Sequence, residues 1–318
     1  MSTGIILEQI LVLVILALIG VIATRRKIIH GEIKTGLSKI VFNVTLPFLI
    51  ITRISSLEID KSEFLDWGIV IILVFTSILF FLVIGTITAR ILKLPPEKSI
   101  IHTMHTAFTN AVFLGFPILD ALFPNGEGIL YGIIYFLTQN TTMWTLGIYM
   151  FTREEKRKKL DNLKNLINPN TIAFFIGIML LLLNIQIPAF LFGPLEGLGK
   201  TTIYLAMLYT GSILAYINIK SIVRDVTSFY LSFNKLILAP LLFLLVIKGI
   251  FLILPIDLNS TAKTVIVLEA AMPCQTLMII LARQFNKDDF YATQNFSIST
   301  LLSIITLPII YYITQLAF

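Results

Sequence analysis

Along the chain, apolar runs of about 20 residues alternate with short polar interruptions, and no strand-like alternation persists within them. The runs lie near 5–23, 35–54, 67–91, 98–122 and 128–151, then near 169–187, 197–217, 228–254, 261–283 and 289–315. Each is long enough to cross a bilayer as a helix. The pattern predicts an all-α polytopic membrane protein with ten transmembrane helices. The first run begins without a basic segment, carries Glu8 and is followed by "ATRRK", so it reads as an uncleaved span. The longest polar stretch, "REEKRKKLDNLKNLINPN" at 153–170, separates two sets of five runs and reads as a solvated linker.

Composition supports this picture. Only 13% of the 318 residues are charged while 57% are hydrophobic, against roughly 25% charged in soluble domains. The net charge of +6 comes from Lys and Arg in the short connections and gives no nucleic-acid patch. Arg25, Arg26 and Lys27 lie in the first connection, Arg90, Lys93 and Lys98 in the third, Arg153 to Lys164 in the fifth, Lys220 and Arg224 in the seventh, and Arg283 and Lys287 in the ninth. The even connections are poor in basic residues. By the positive-inside rule the odd connections are cytoplasmic and both termini lie outside a cell membrane. One cysteine, Cys274, excludes an internal disulfide, and three histidines are too few for an elaborate metal site.

The two halves echo each other. "GLSK" at 36–39 corresponds to "GLGK" at 197–200, and "LDALFPN" at 119–125 to "LARQFNK" at 281–287, at offsets of 161 and 162. A repeat of five spans must enter the membrane from the opposite side the second time, so the pattern predicts two inverted five-helix repeats.

Both the fourth and the ninth runs are interrupted. The fourth reads "SIIHTMHTAFTNAVFLGFPILDALF", with Asn110, Gly115 and Pro117 inside it. Pro117 removes a helical N–H and Gly115 permits a tight path, so a second half-helix is expected to start near Pro117. The ninth reads "AKTVIVLEAAMPCQTLMIILARQF", with Glu269, Pro273, Gln275 and Thr276. The repeat offset sets Pro273 beside Asn110 and Ala111. An unpaired backbone group in hydrocarbon costs several kcal/mol, so such breaks are expected to line a cavity. Paired breaks in corresponding spans point to a substrate site at the midplane, where two helix N-termini favour an anion such as a carboxylate.

"FTNAVFLGFPILDALFPNGEG", "LEAAMPCQTLMIILARQF" and "NVTLPFLI" resemble the auxin efflux carrier family over essentially the whole chain. That family includes bacterial carriers of malonate and malate and is related more distantly to bile-acid sodium symporters. The resemblance implies that broken helices 4 and 9 cross near the midplane to form the substrate site. It also implies a scaffold of helices 1–2 and 6–7 (residues 1–60 and 169–224) and a mobile domain of helices 3–5 and 8–10 (61–152 and 225–318), joined by a linker at 153–168 and working as an elevator. The crossover residues it implies are Asn110, Gly115, Pro117, Met272 and Pro273, with Cys274 and Gln275 where the family has small or polar residues.

Several single residues carry competing readings. Glu269 is a buried acid that either couples transport to Na⁺ or H⁺ or supports the crossover by hydrogen bonding. His102 and His105 share a helical face, with His105 a candidate proton carrier and interfacial packing the alternative. Asp120 either caps, pairs or couples. Asn140, Thr141 and Thr142 either glue helices together or line the site. Lys248 either pairs with an acid or snorkels to an interface, Arg53 is expected to snorkel, and Arg283 to anchor the inner side. No Gly-x-Ser-x-Gly, HExxH or phosphate loop is present, so an enzyme is not expected, nor any cofactor beyond a coupling Na⁺ or H⁺. The expected function is a secondary carrier of a small organic anion. An anion channel or a membrane-bound sensor is the alternative. The expected partners are the anion and the bilayer, and a homodimer through the scaffold helices is the candidate assembly.

Overall fold

A computed structural model describes residues 3–56, 63–123, 125–152, 167–215, 226–254 and 258–318. Most of the linker, the acidic part of the second connection, Lys220 and Arg224 lie outside the described residues. Among the described residues there are helices and no strands; the only β-type contact is one isolated bridge.

The first half comprises α1 (Thr3–Arg25), α2 (Gly31–Ile40) continued through a π turn into α3 (Leu46–Ser55), α4 (Glu63–Ile91), α5 (Pro96–Ala107), a π turn and α6 (Phe116–Leu122), then α7 (Glu127–Thr142) and, after another π turn, α8 (Ile148–Thr152). The second half comprises α9 (Pro169–Leu182), α10 (Ala189–Leu214), α11 (Val226–Phe233) continued through a π turn into α12 (Ala239–Ile253), α13 (Ser260–Ala270), α14 (Leu277–Gln284) and α15 (Asp289–Ala317). Among the described residues, four helices are long and apolar enough to cross a membrane: Gly31–Ser55, Leu65–Ile91, Val226–Ile253 and Asp289–Ala317. They carry large exposed apolar residues such as Ile72, Leu245 and Ile305, as a lipid-facing surface requires.

Three π turns have one cause. Val41–Thr45, Ala111–Gly115 and Asn234–Leu238 each stand two residues before a proline: Pro47, Pro117 and Pro240. A proline ring collides with the carbonyl four residues back. Widening the preceding turn moves that carbonyl aside, and the residue before each proline bonds five residues back instead: Leu46 to Val41, Phe116 to Ala111 and Ala239 to Asn234. The helices bend but do not end.

Packing sorts the helices into two groups. α1, α2–α3, α9 and α10 contact one another, while α4–α8 pack with α11–α15. The first group is closed by small residues. A Cβ at Gly211 would strike the carbonyl oxygen of Ala17, and one at Gly20 that of Leu208, so α1 and α10 cross backbone to backbone. The groups meet where α10 and α1 touch α6 and the turn before it.

The expected span near 197–217 begins earlier, since α10 starts at Ala189 and runs through Pro194. In the fourth span the break does not fall at Pro117. Helix α5 ends at Ala107, Phe108 to Asn110 are non-helical, and Pro117 lies inside the resumed helix. Gly115 has φ −60°, so it makes no special turn.

Candidate functional site

The two interruptions meet. Residue Thr109 pairs with Cys274 in an antiparallel bridge, and the Asn110 N–H donates to the Pro273 carbonyl at 2.9 Å. In the ninth span the break is local. Pro273 has no N–H to give and restricts Met272 before it, so α13 stops at Ala270. The fourth span has no such cause, and tertiary partners open it. The Gln139 side chain on α7 satisfies Thr109 as a neighbouring strand would. Its Oε1 accepts from the Thr109 N–H at 2.7 Å and hydroxyl at 3.0 Å, and its Nε2 donates to the Thr109 carbonyl at 3.0 Å. The buried backbone thus gains from Gln139 and Pro273 what it loses from the helix.

At this crossing the ends of four half-helices converge. The last carbonyls of α5 and α13 have no intrahelical donors. Lys235, fully buried in the π turn between α11 and α12, supplies them. Its Nζ donates to the Thr106 carbonyl at 3.1 Å and the Ala270 carbonyl at 3.3 Å, with the Phe81 ring 5.5 Å away. The opposite ends keep their first donors outside the helices' own hydrogen bonds. Asn110 O takes the N–H groups of Leu114 (3.2 Å) and Gly115 (3.1 Å), which leaves the N–H groups of Ala111 to Phe113 ahead of the first intrahelical bonds. Gln275 to Leu277 stand in the same relation to α14, whose first bonds run to Gln275 and Thr276.

These two ends line one small cavity, together with Phe42, Thr109, Phe136 and Gln139. Asn110 Nδ2, Gln275 Oε1 and Thr276 Oγ1 have no hydrogen-bond partner there. The cavity measures ≈ 20 Å³, room for about one water. Phe42 and Phe113 close it edge to face at 5.1 Å, and Phe113 rests on Tyr209 of α10 at 4.6 Å. The first helix group thus borders a site built by the second through Phe42, and backs its Phe113 wall with Tyr209.

Glu269 lies at the end of α13, fully buried, with neither carboxyl oxygen hydrogen-bonded. It rests on Gly115. A Cβ there would overlap Oε1 and sit 2.8 Å from Oε2, and Gly132 on α7 borders the same carboxyl. Gly115 is present for space, which corrects the expected tight turn. Tyr135 and Lys235 are the ionisable neighbours within electrostatic reach.

The structure brings together Asn110, Met272, Pro273, Cys274 and Gln275, with Gly115 and Glu269 directly behind them. Pro117 stays one turn away. Cys274 is buried, its N–H held by Ser299 Oγ at 3.1 Å. Asn140 and Thr141 do not reach the cavity: Asn140 Oδ1 accepts from Trp144 Nε1 at 3.2 Å, and Thr141 is exposed. Asp120 forms an ion pair with Arg53 at 2.9 Å, so Arg53 pairs instead of snorkelling. Arg283 pairs with Asp289 at 2.9 Å, and Lys248 is exposed. His102 bonds Thr88 and Tyr291, whereas His105 is buried beside the Gln275 backbone with no hydrogen bond of good geometry. Among the described residues no three His, Cys, Asp or Glu side chains cluster as metal ligands.

Sequence reasoning missed Gln139 and Lys235. Each is a polar residue inside an apolar run, and that position was the available signal.

A family profile described as membrane transport protein matches residues 5–311. The chain belongs to that family. An uncharacterized transporter of Methanothermobacter thermautotrophicus is 28% identical over 304 residues, covering 95% of this chain and 96% of the relative. The uncharacterized transporter YfdV of Escherichia coli K12 is 26% identical over 319 residues, 97% of each chain. MJ1031 of Methanocaldococcus jannaschii, also an uncharacterized transporter, is 24% identical over 314 residues, 95% and 97% of the two chains. The family and these relatives make the chain an integral membrane transport protein and not an enzyme.

Proposed function

We propose that the chain is a secondary carrier that moves a small organic anion, a carboxylate, across the cell membrane by an elevator motion. The observation that carries this reading is the crossing at Thr109 and Cys274, where two helix N-termini and the unpartnered Asn110 Nδ2 share one cavity. N–H groups and the positive ends of helix dipoles favour a carboxylate over a neutral or cationic solute.

The order of elements supports ten spans in two inverted repeats. In each half the broken pair, α5–α6 and α13–α14, follows three spans and is followed by one more, α7–α8 and α15, and the broken segments run antiparallel where they meet. On this reading both termini lie outside. Helices α1–α3 and α9–α10 form the scaffold, and the remainder carries the substrate. Phe42 and Tyr209 belong to the scaffold, so sliding the carrying group past them would uncover the cavity.

Of the two coupling ions, the proton fits better than Na⁺. The Lys235 ammonium already holds the carbonyl ends where a cation would be drawn, and a second cation beside Glu269 would be repelled. Glu269 is the proposed proton carrier.

The test begins with a panel of mono- and dicarboxylates screened for thermal stabilisation in detergent. Ligands that stabilise are then tested for counterflow in proteoliposomes. Saturable counterflow supports the carrier; linear, non-saturating flux indicates a channel, and binding without flux a sensor. Glu269→Gln should keep counterflow but lose its dependence on a pH gradient. Dependence on a Na⁺ gradient in the parent protein would refute proton coupling.

A further inference from the structure

Behind the substrate cavity, three helices each carry a polar stripe at helical spacing, buried where apolar residues would pack at no cost. On α15 the stripe is Tyr291, Asn295 and Ser299, which follow the N-cap Asp288. On α5 it is His102 and His105, with the partly exposed Lys98 one turn before them, and on α11 and the turn after it Ser228, Ser232 and Lys235. Residues three and four apart share a helix face. The three helices pack against one another.

Bonds at both ends of the stripes show that these faces meet. Tyr291 OH lies 3.2 Å from His102 Nδ1, and Lys235 reaches the Thr106 carbonyl on α5. At the inner end Ser299 holds the Cys274 N–H. The His102 tautomer follows from its neighbours. Thr88 Oγ1 donates to the Ile84 carbonyl at 2.9 Å, so it accepts from His102 Nε2, and Nδ1 accepts from the Tyr291 hydroxyl.

On each of the three stripes the protein leaves polar groups of its own unsatisfied. Both amide atoms of Asn295, Ser228 Oγ and both nitrogens of His105 are buried without hydrogen bonds of good geometry. A buried amide with no partner at either atom costs several kcal/mol, and buried water is the usual remedy. The outer end of the seam lies beside Lys98, which pairs with Asp288 at 4.0 Å, and near Asp289 paired with Arg283. Inside, the titratable groups that face it are His102, His105 and Tyr291, then Lys235, Glu269 and Cys274.

We propose that this seam holds a file of water that carries protons between the basic side of the membrane and the buried group of His105, Lys235 and Glu269, by a route separate from the substrate's own. The proposal rests on the proton-coupled reading above and adds the path. In each hop an O–H or N–H bond breaks as the next forms, and no other bond changes.

Radiolytic hydroxyl-radical labelling of the purified protein, read by mass spectrometry, tests for the water without any substrate. His105 and Tyr291 should be oxidised promptly although they are buried, while the equally buried Phe243 stays unmodified. Asn295→Leu, which fills the seam with an apolar group, should abolish labelling of His105. In proteoliposomes the same variant should retain carboxylate counterflow, which needs no net proton movement, and lose acceleration by a pH gradient. Labelling of His105 no greater than that of Phe243, or undiminished gradient dependence in Asn295→Leu, would overturn the path. Absence of counterflow in the parent protein would instead count against the carrier reading and leave the labelling result to judge the seam.

Discussion

Consider one methyl group added at Gly115. An ideal Cβ there overlaps Glu269 Oε1 and comes within 2.8 Å of Oε2 and 2.9 Å of Cδ. Ordinary contacts lie near 3.5–4.0 Å. Neither neighbour can yield cheaply. The backbone at 111–115 is held by two bonds to Asn110 O, and Gly132 limits the carboxyl on its other side. Overpacking of this kind costs about 1–3 kcal/mol, which would lower an apparent melting temperature by roughly 2–8 °C. Gly115→Ala should therefore melt lower in detergent, followed by the fluorescence of Trp67 and Trp144. Combining it with Glu269→Ala removes the group that the methyl strikes. The double variant should be less destabilised than the sum of the two single changes by about 1–3 kcal/mol, a coupling expected only for residues in contact. Gly115→Ala with parental stability, or strictly additive effects, would refute the placement of Glu269 over Gly115.

Other changes follow from the same geometry. Lys235→Met strips the Thr106 and Ala270 carbonyls of their donor and leaves Glu269 without its nearby cation; a loss of about 1–3 kcal/mol is expected for each buried acceptor left unsatisfied, with partial recovery in thermal melts when Glu269→Gln is added. Gln139→Leu removes three bonds from Thr109, so it should both lower the melting temperature and abolish stabilisation by any carboxylate that binds the parent, as read in the same melts. Pro117→Ala leaves Gln139 and Pro273 in place and should preserve ligand stabilisation, because the break at Thr109 does not depend on that ring; loss of ligand stabilisation would return the break to Pro117. Arg53→Gln breaks a partly exposed ion pair with Asp120 and should cost under about 1 kcal/mol in a double-mutant cycle with Asp120→Asn.

The sequence by itself determined the all-helical membrane character, the family and the two spans in which helices fail. Those are properties of local composition. Hydropathy over about 20 residues sets where a helix can live in lipid, and Pro273 stops its helix without help from elsewhere. It also singled out Asn110, Glu269 and Gln275, since polar groups inside apolar runs are costly enough to be conspicuous. What only the tertiary structure decided is where the fourth span breaks and which side chains hold the crossing. No residue between Met104 and Ala111 forbids a helix. The chain leaves it there because Gln139, 30 residues on, and Pro273, on the other half of the molecule, supply the hydrogen bonds that the helix would have made. Pro117, the obvious breaker, is absorbed by a π turn. Gly115 reads as room for a tight path until Glu269 is seen lying on it, and Lys235 goes unnoticed until two helix ends are found pointing at it. Each of these roles is a relation between residues far apart in sequence, so it exists only once the two halves have crossed.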